Sequence, residues 1–124
     1  MHLRKYRNTK TTFNDIKFDS KAEADYYRYL KNQEKKGEVS EIKLQPKFTL
    51  QKNFKFNGKI IRSITYTSDF KFKDKNGFTH IVDVKGFKTN EFKIKEKMLK
   101  FKFKDEEKIL IYCVKLARET WVEC

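Results

Sequence analysis

Two turn signals in the middle of the chain restrict how it can fold. Asn57-Gly58 and Lys75-Asn76-Gly77 separate three runs in which apolar and polar residues alternate, and an Asn-Gly pair between such runs is typical of a β-hairpin. The three runs are Phe48–Phe56, Ile60–Lys73 and Phe78–Lys85. We therefore expect an antiparallel meander of three strands.

Helical patterns flank this meander. Over residues 20–36, Ser20 and Glu23 have capping-box spacing, apolar residues recur at helical intervals, and Gly37 marks the end. A second helix is predicted over residues 89–104. The apolar run Ile109–Val114 suits a strand buried on both faces, which a crossover would add to the meander. The predicted fold class is α/β (α+β), with an α-β-β-β-α-β core and a mixed sheet flanked by helices.

Composition favours one small folded domain. Leu, Ile, Val and Phe make up 33 of the 124 residues, well above the roughly 20% below which chains tend to be disordered. We predict a basic N-terminal arm over residues 1–17 and a single domain over residues 18–124. No apolar run approaches a membrane span, the start lacks a secretory signal, and two cysteines make neither a disulfide framework nor a zinc cluster. A cytoplasmic location is the expectation.

The charge balance indicates a polyanionic partner. The formal net charge is +13, and lysine greatly outnumbers arginine. Nucleic acid is the commonest partner of such a chain, and lysine suits phosphate contacts better than base reading. The alternative is that a Lys-, Asn- and Phe-rich composition simply reflects AT-rich coding DNA.

The second predicted helix carries three stripes. Phe92, Leu99 and Phe103 form one apolar stripe, and Ile94, Met98 and Phe101 form another. One should pack on the sheet; the other could meet a partner subunit, or the helix could end before Phe101. Lysines form the third stripe, which either tracks an anion or is a solvated face. The candidate DNA-binding residues are Lys43, Gln45, Lys88, Lys93, Lys97, Lys100 and Lys104, although Gln45 could equally cap a strand edge.

The segment around Asp83 is the most informative for chemistry. Asp83 and Lys85 lie two residues apart in a predicted strand, so their side chains share one face. A carboxylate can hold a divalent metal, and a neighbouring ammonium can orient a water or balance charge on a phosphate. A surface ion pair is the alternative explanation.

Asp69 lies on the preceding strand, and the loop length decides whether it meets Asp83. A two-residue loop would place Asp69 opposite Val84, whereas a three-residue loop ending in Gly77 places it opposite Asp83. Three-residue hairpin loops commonly have glycine third, in the left-handed conformation, so we predict the second register. Two facing carboxylates repel each other, and a bound metal would reverse that effect.

Glu23 is the third candidate acid. A capping box explains it fully. However, a carboxylate at the buried edge of a helix that faces a sheet can also reach a metal site.

The pattern formed by Glu23, Asp69, Asp83 and Lys85 resembles that of the PD-(D/E)XK nuclease superfamily. That resemblance places Glu23 on the first helix, Asp69 on the second strand of the meander, and Asp83-Val84-Lys85 on the third. Ser68 stands where the superfamily often has proline, and Asp83 where glutamate is commoner.

A closer resemblance covers nearly the whole chain. The matching segments are Lys5-Tyr6-Arg7-Asn8, Phe18 to Ala24, Gln45-Pro46, Ser68-Asp69-Phe70, and Asp83 to Gly86 followed by Thr89 and Phe92. They are similar to a family of small phage-encoded proteins described as candidate endonucleases or as a domain of unknown function. This resemblance implies a role in phage recombination or replication, with the host cytoplasm as the location.

Together the resemblances imply an endodeoxyribonuclease that depends on Mg²⁺ or Mn²⁺. Asp69 and Asp83 would bind the metal, with the Val84 carbonyl as a further ligand and Glu23 completing the site through water. Lys85 would position the attacking water. The substrate would be branched DNA such as a Holliday junction, cut by a homodimer. The alternatives are a non-catalytic nucleic-acid-binding module on the same fold and a basic protein that binds an acidic protein partner.

Overall fold

Strands predominate in the computed structural model, which describes residues 10–124. In chain order the elements of this range are β1 (Thr11–Phe13), β2 (Ile16–Phe18), α1 (Lys21–Lys35), β3 (Val39–Leu44), β4 (Lys47–Gln51), β5 (Phe54–Phe56), β6 (Lys59–Ile61), β7 (Ile64–Thr67), β8 (Phe70–Asp74), β9 (Thr79–Val84), α2 (Asn90–Lys102), β10 (Ile109–Ala117) and β11 (Thr120–Glu123). The architecture is α+β.

The central sheet is mixed. Its five strands have the order β11-β10-β9-β8-β3, and β10 runs parallel to β9 while the other neighbours are antiparallel. Two parallel strands need a crossover, and α2 lies in the connection between β9 and β10. The predicted crossover is therefore confirmed.

The core lies on both faces of this sheet. Alternate residues of a strand point to opposite faces, so Val82 packs with Tyr26 and Leu30 of α1, whereas its neighbour Ile81 packs with Phe92 and Leu99 of α2. The two helices thus cover opposite faces. On α2 the predicted stripe of Phe92, Leu99 and Phe103 packs inward, while Ile94 and Phe101 are exposed.

The start of α1 follows the predicted capping box. The Ser20 hydroxyl accepts a hydrogen bond from the Glu23 amide at 3.1 Å and lies 3.3 Å from the Glu23 carboxylate. This satisfies a backbone amide that the first helical turn cannot pair.

Removal of this cap should lower the stability of the fold. We expect Ser20→Ala to lower the free energy of unfolding by about 1 kcal/mol, because the Glu23 amide loses its acceptor. Urea denaturation followed by circular dichroism measures this loss. Ser40→Ala, an exposed serine in β3, is the control, and an equal loss in both variants would contradict the role of the cap.

The first strand of the meander differs from the prediction. β3, rather than the run at Phe48–Phe56, pairs with β8, and that run instead forms β4 and β5 of separate two-stranded ribbons. The pairing of β3 shifts register between Ser40 and Lys43, and Glu41 has a positive φ of 54°. This bulge interrupts the alternation of apolar residues, which hides the strand from a period-two pattern.

The predicted basic arm also needs correction. Residues 11–18 form the hairpin β1–β2, with Asn14 and Asp15 at positive φ in its turn. Phe13 and Phe18 pack against Tyr27 of α1. This hairpin therefore belongs to the domain, while residues 1–9 of the predicted arm, which include the segment Lys5 to Asn8, lie outside the described residues.

A disulfide joins Cys113 of β10 to Cys124, with 5.6 Å between their Cα atoms. Two cysteines predict no disulfide framework, and the structure differs in joining them by a single bridge between β10 and the residue after β11. The pair β10–β11 brings the two residues together, which the spacing alone did not indicate.

Candidate functional site

The register between β8 and β9 is the predicted one. Phe70 pairs with Val82 and Phe72 with His80, and a further step along this ladder sets Asp69 opposite Asp83. Gly77 closes the loop with a positive φ of 87°. The three-residue loop thus brings the two carboxylates to the same end of the sheet.

Asp83 is buried and held by a tyrosine. Its side chain is 5% exposed, and the Tyr66 hydroxyl donates a hydrogen bond to Oδ2. Burial, followed by repulsion from Asp69, raises the pKa of Asp83 to about 7. A carboxyl group in this state readily exchanges its proton for a cation near neutral pH.

Asp69 is fixed through the backbone of β9. Its Oδ2 accepts a hydrogen bond from the Val84 amide at 2.8 Å, and its own carbonyl accepts one from the Gln45 amide at 3.0 Å. Burial raises the pKa of Asp69, although the Val84 hydrogen bond and Lys85 counteract this rise. The neighbouring Ser68 is fully buried, and its hydroxyl donates a hydrogen bond to the Val82 carbonyl at 2.9 Å. This bond holds the chain in place directly before Asp69.

Glu23 reaches the same end of the sheet from α1. It lines a cavity of about 130 Å³ together with Asp69 and Gln45. Burial, followed by repulsion from Asp69, raises the pKa of Glu23 to about 7. Glu23 is thus both a capping residue and an electrostatic neighbour of Asp69, so the two explanations given by its sequence are compatible.

Lys85 is positioned on an aromatic ring. Its Nζ lies 4.9 Å from the centroid of Phe92, and its side chain lines a cavity of about 350 Å³ beside Tyr66. Its positive charge lowers the pKa values of Asp83, Asp69 and Glu23 relative to what burial alone would give. The Lys85 ammonium group therefore interacts electrostatically with all three acids.

The acids offer two close carboxylates rather than a complete cage. Within residues 10–124 no group of three or more His, Cys, Asp and Glu side chains lies close enough to hold a metal ion. Asp69 and Asp83 are hard oxygen donors, the type that Mg²⁺ prefers, and Mg²⁺ usually keeps several waters beside one or two carboxylates. The chemistry of this pair therefore fits Mg²⁺ or Mn²⁺.

The predicted DNA-binding lysines do not all lie near this pair. Lys93, Lys97 and Lys100 are exposed on one flank of α2, and Lys104 is exposed just beyond the end of this helix. At 3.6 residues per turn, Lys95 lies on roughly the opposite flank, and Lys95 is the α2 lysine that lines the cavity containing Lys85. The placement of the lysine stripe therefore does not support contact with DNA at the acidic pair, and its partner stays a prediction.

Three other candidates lie nearer the site or in the same sheet. Gln45 lines the Asp69 cavity, and its amide contact with the Asp69 carbonyl supports the edge-capping interpretation. Lys88 lies 3.8 Å from Glu96. Lys43 is exposed and pairs with Lys71 in the ladder of β3 and β8.

Two residues of the site were not predicted from the sequence. Tyr66 appeared only as an apolar member of an alternating run, yet it binds Asp83. Glu96 is buried on the inward face of α2 and lies close enough to raise the pKa of Tyr66. An acid between Phe92 and Leu99 in an apolar stripe was the available signal for Glu96.

The buried acids predict a pH dependence of stability. Asp83 and Glu23 have folded-state pKa values of about 7, above roughly 4 in the unfolded chain, so the folded protein binds more protons between these values. Stability without metal should therefore be fully retained near pH 4 and fall as the pH rises through 7. The groups that face Asp83 are Asp69, Tyr66 and Lys85.

Denaturation at pH 5 and pH 8 in EDTA measures this effect. We expect Asp83→Asn to be more stable than the wild type at pH 8 by on the order of 2 kcal/mol, and the difference to shrink at pH 5. Asp105→Asn makes the same charge change at an exposed position and should show no such difference. If the wild type instead gained stability relative to Asp83→Asn between pH 5 and pH 8, that result would contradict the raised pKa of Asp83.

The geometry defines a class of protein: a small α+β domain with two carboxylates and a lysine at one end of a mixed sheet. The chain belongs to the family described as protein of unknown function (DUF1064), whose family model matches residues 3–118. Neither the curated proteins nor the solved structures contain a match to the chain. Neither helix in the described part of the chain has the length and apolar character needed to cross a membrane.

Proposed function

We propose that the protein is a divalent-metal-dependent endodeoxyribonuclease, which hydrolyses phosphodiester bonds. The observation that carries the proposal is the juxtaposition of Asp69 and Asp83 at one end of the β8–β9 ladder, with Lys85 directly after β9. Two ionised carboxylates that face each other repel, and a cation bound between them would reverse that effect, which supports a functional explanation for the pair.

The order of elements supports the assignment to the PD-(D/E)XK superfamily. Helix α1 precedes three antiparallel strands of the sheet, β3, β8 and β9, and α2 then leads to the parallel strand β10. This order supports the restriction-endonuclease-like α-β-β-β-α-β core that the resemblance implies. The two-stranded ribbons β4–β7 and β5–β6 are inserted between β3 and β8.

Each residue of the site has a distinct proposed role. Asp69 and Asp83 would hold Mg²⁺ or Mn²⁺, with the Val84 carbonyl as a further ligand and Glu23 bound through water. The metal, when bound, supplies Lewis-acid activation of a phosphate oxygen and of water. Tyr66 holds the Asp83 carboxylate in place. Lys85 orients the attacking water or stabilises negative charge on the phosphate, and its contact with Phe92 limits its motion.

Branched DNA is the proposed substrate. Lysine-dominated charge favours recognition of the sugar-phosphate backbone and of shape over base reading. A homodimer would cut two strands symmetrically, and Ile94, Met98 and Phe101, two of which are well exposed, are the proposed dimer surface. The resemblance to small phage-encoded proteins, rather than any of these properties, implies a role in phage DNA recombination or replication.

Cleavage of labelled DNA tests the proposal. Purified protein should cut a four-way junction in Mg²⁺ and leave it intact in EDTA, with flap, single-stranded and linear duplex DNA compared in parallel. Preference for the junction supports structure selectivity. Absence of metal-dependent cleavage on all four substrates would overturn the enzymatic assignment.

One observation favours a second candidate, a non-catalytic nucleic-acid-binding module on the same fold. No three-acid metal group exists within residues 10–124, and the pair can be stable without metal if Asp83 is protonated and bonded to Tyr66. Such a module would bind DNA with steep salt dependence and would not bind Mn²⁺ through Asp69.

A further inference from the structure

The ribbon inserted between β3 and β8 carries a surface that the proposed site does not use. We define the basic hairpin as residues 52–62, which contain β5, the Asn57-Gly58 turn and β6. Every residue of this segment is exposed. Isolated two-stranded hairpins are at best marginally stable. Because both faces of this hairpin are open to solvent, packing in the core does not explain its presence.

The exposed residues of the basic hairpin combine cations with large apolar groups. Its cations are Lys52, Lys55, Lys59 and Arg62, and no acid occurs anywhere between residues 43 and 68. Phe56 is 63% exposed and Ile60 68% exposed. The register pairs Phe54 with Ile61, so these two and Phe56 share one face of the ribbon.

The basic hairpin is connected to the segment that carries Asp69 through a second ribbon, β4–β7. Its strands continue into β4 and β7, whose base closes through the contacts of Gln45 and Pro46 with Asp69 and Ser68. Phe48 anchors this base on α2, with its ring 5.8 Å from that of Phe103. The eight strand residues of β4 and β5 reach about 26 Å, most of one helical turn of B-DNA.

We propose that the basic hairpin is a second DNA-binding element, which grips phosphates with its four cations and stacks Phe54 and Phe56 on unpaired bases of a branch point. This inference rests on the proposed function, since the partner is the DNA substrate. A two-stranded ribbon fits a DNA groove, and aromatic side chains stack on bases that are not in a continuous helix. A second copy is disfavoured as the occupant because it carries the same +13 charge.

Binding measured in EDTA tests the hairpin separately from cleavage. We expect Phe54→Ser/Phe56→Ser to bind a fluorescent four-way junction about tenfold more weakly, with little change for linear duplex and an unchanged salt dependence. Lys55→Gln/Lys59→Gln should weaken binding to both DNAs alike and reduce the slope of affinity against salt by about two. Leu110→Ser/Leu116→Ser, exposed apolar residues of β10, is the matched control.

The outcomes separate the two proposals. Junction cleavage by the wild type together with unchanged junction preference in the Phe variant would overturn the hairpin proposal alone. Loss of junction preference in a protein that never cleaves would support the hairpin and overturn the nuclease. Sedimentation that shows a dimer lost in the Phe variant, or vesicle binding lost in place of DNA binding, would identify another occupant and overturn the proposal.

Discussion

Asp83→Asn should abolish metal-dependent cleavage of branched DNA, with a fall in rate on the order of 10³-fold. Asparagine keeps the size of the side chain and can still accept the hydrogen bond from Tyr66, but it removes one of the two proposed metal-binding charges. Because Asp83 is buried and repelled by Asp69, its neutral replacement should not weaken the fold. Single-turnover cleavage of a labelled four-way junction measures the loss.

The control for this result is Asp105→Asn, an exposed acid whose partner is Lys104. It should cleave at the wild-type rate. DNA binding in EDTA should persist in Asp83→Asn, since less negative charge then faces the phosphates. Full cleavage by Asp83→Asn would remove Asp83 from the site.

Lys85→Met should lower the cleavage rate about 10²-fold and also change its pH dependence. Methionine can keep the contact with the Phe92 ring while removing the charge that orients water or balances the phosphate. That charge also lowers the pKa values of Asp69, Asp83 and Glu23, so without it the acids should lose their protons at higher pH. The rising limb of the pH–rate profile should therefore move upward.

Lys75→Met is the matched control for the loss of one cation. Lys75 pairs with Glu38 at the opposite end of the β8–β9 hairpin. Its replacement should leave the rate and the pH profile unchanged. A Lys85→Met rate reduced without any shift in the profile would mean that Lys85 contributes only packing or DNA contact.

Local rules predicted much of the fold and the central pair of the site. The cap at Ser20, the loop ending in Gly77 and the crossover to β10 each follow from a few neighbouring residues. The loop length alone fixed which residue faces Asp83, because a slip of one residue would have turned Asp69 to the opposite face.

The remaining features depend on contacts that a linear pattern does not contain. β3 escaped prediction because the bulge at Glu41 breaks its alternation. Tyr66 and Glu96 were missed as site residues because each lies in an apolar pattern, and only the packing of β7 and α2 brings Tyr66 to Asp83 and Glu96 near Tyr66. Lys93, Lys97 and Lys100 of the predicted lysine stripe lie on one flank of α2, whereas Lys104 follows the helix, and the direction of this flank depends on how the helix packs.

Titration of Mn²⁺ by calorimetry at pH 8 tests the central claim most directly, because it separates a metal site from a basic surface. We predict one saturable Mn²⁺ site in the wild type, lost or strongly weakened in Asp69→Asn and in Asp83→Asn, and retained in Asp105→Asn. Mn²⁺ binding that is absent from the wild type, or equal in all four proteins, would contradict a metal site formed by Asp69 and Asp83.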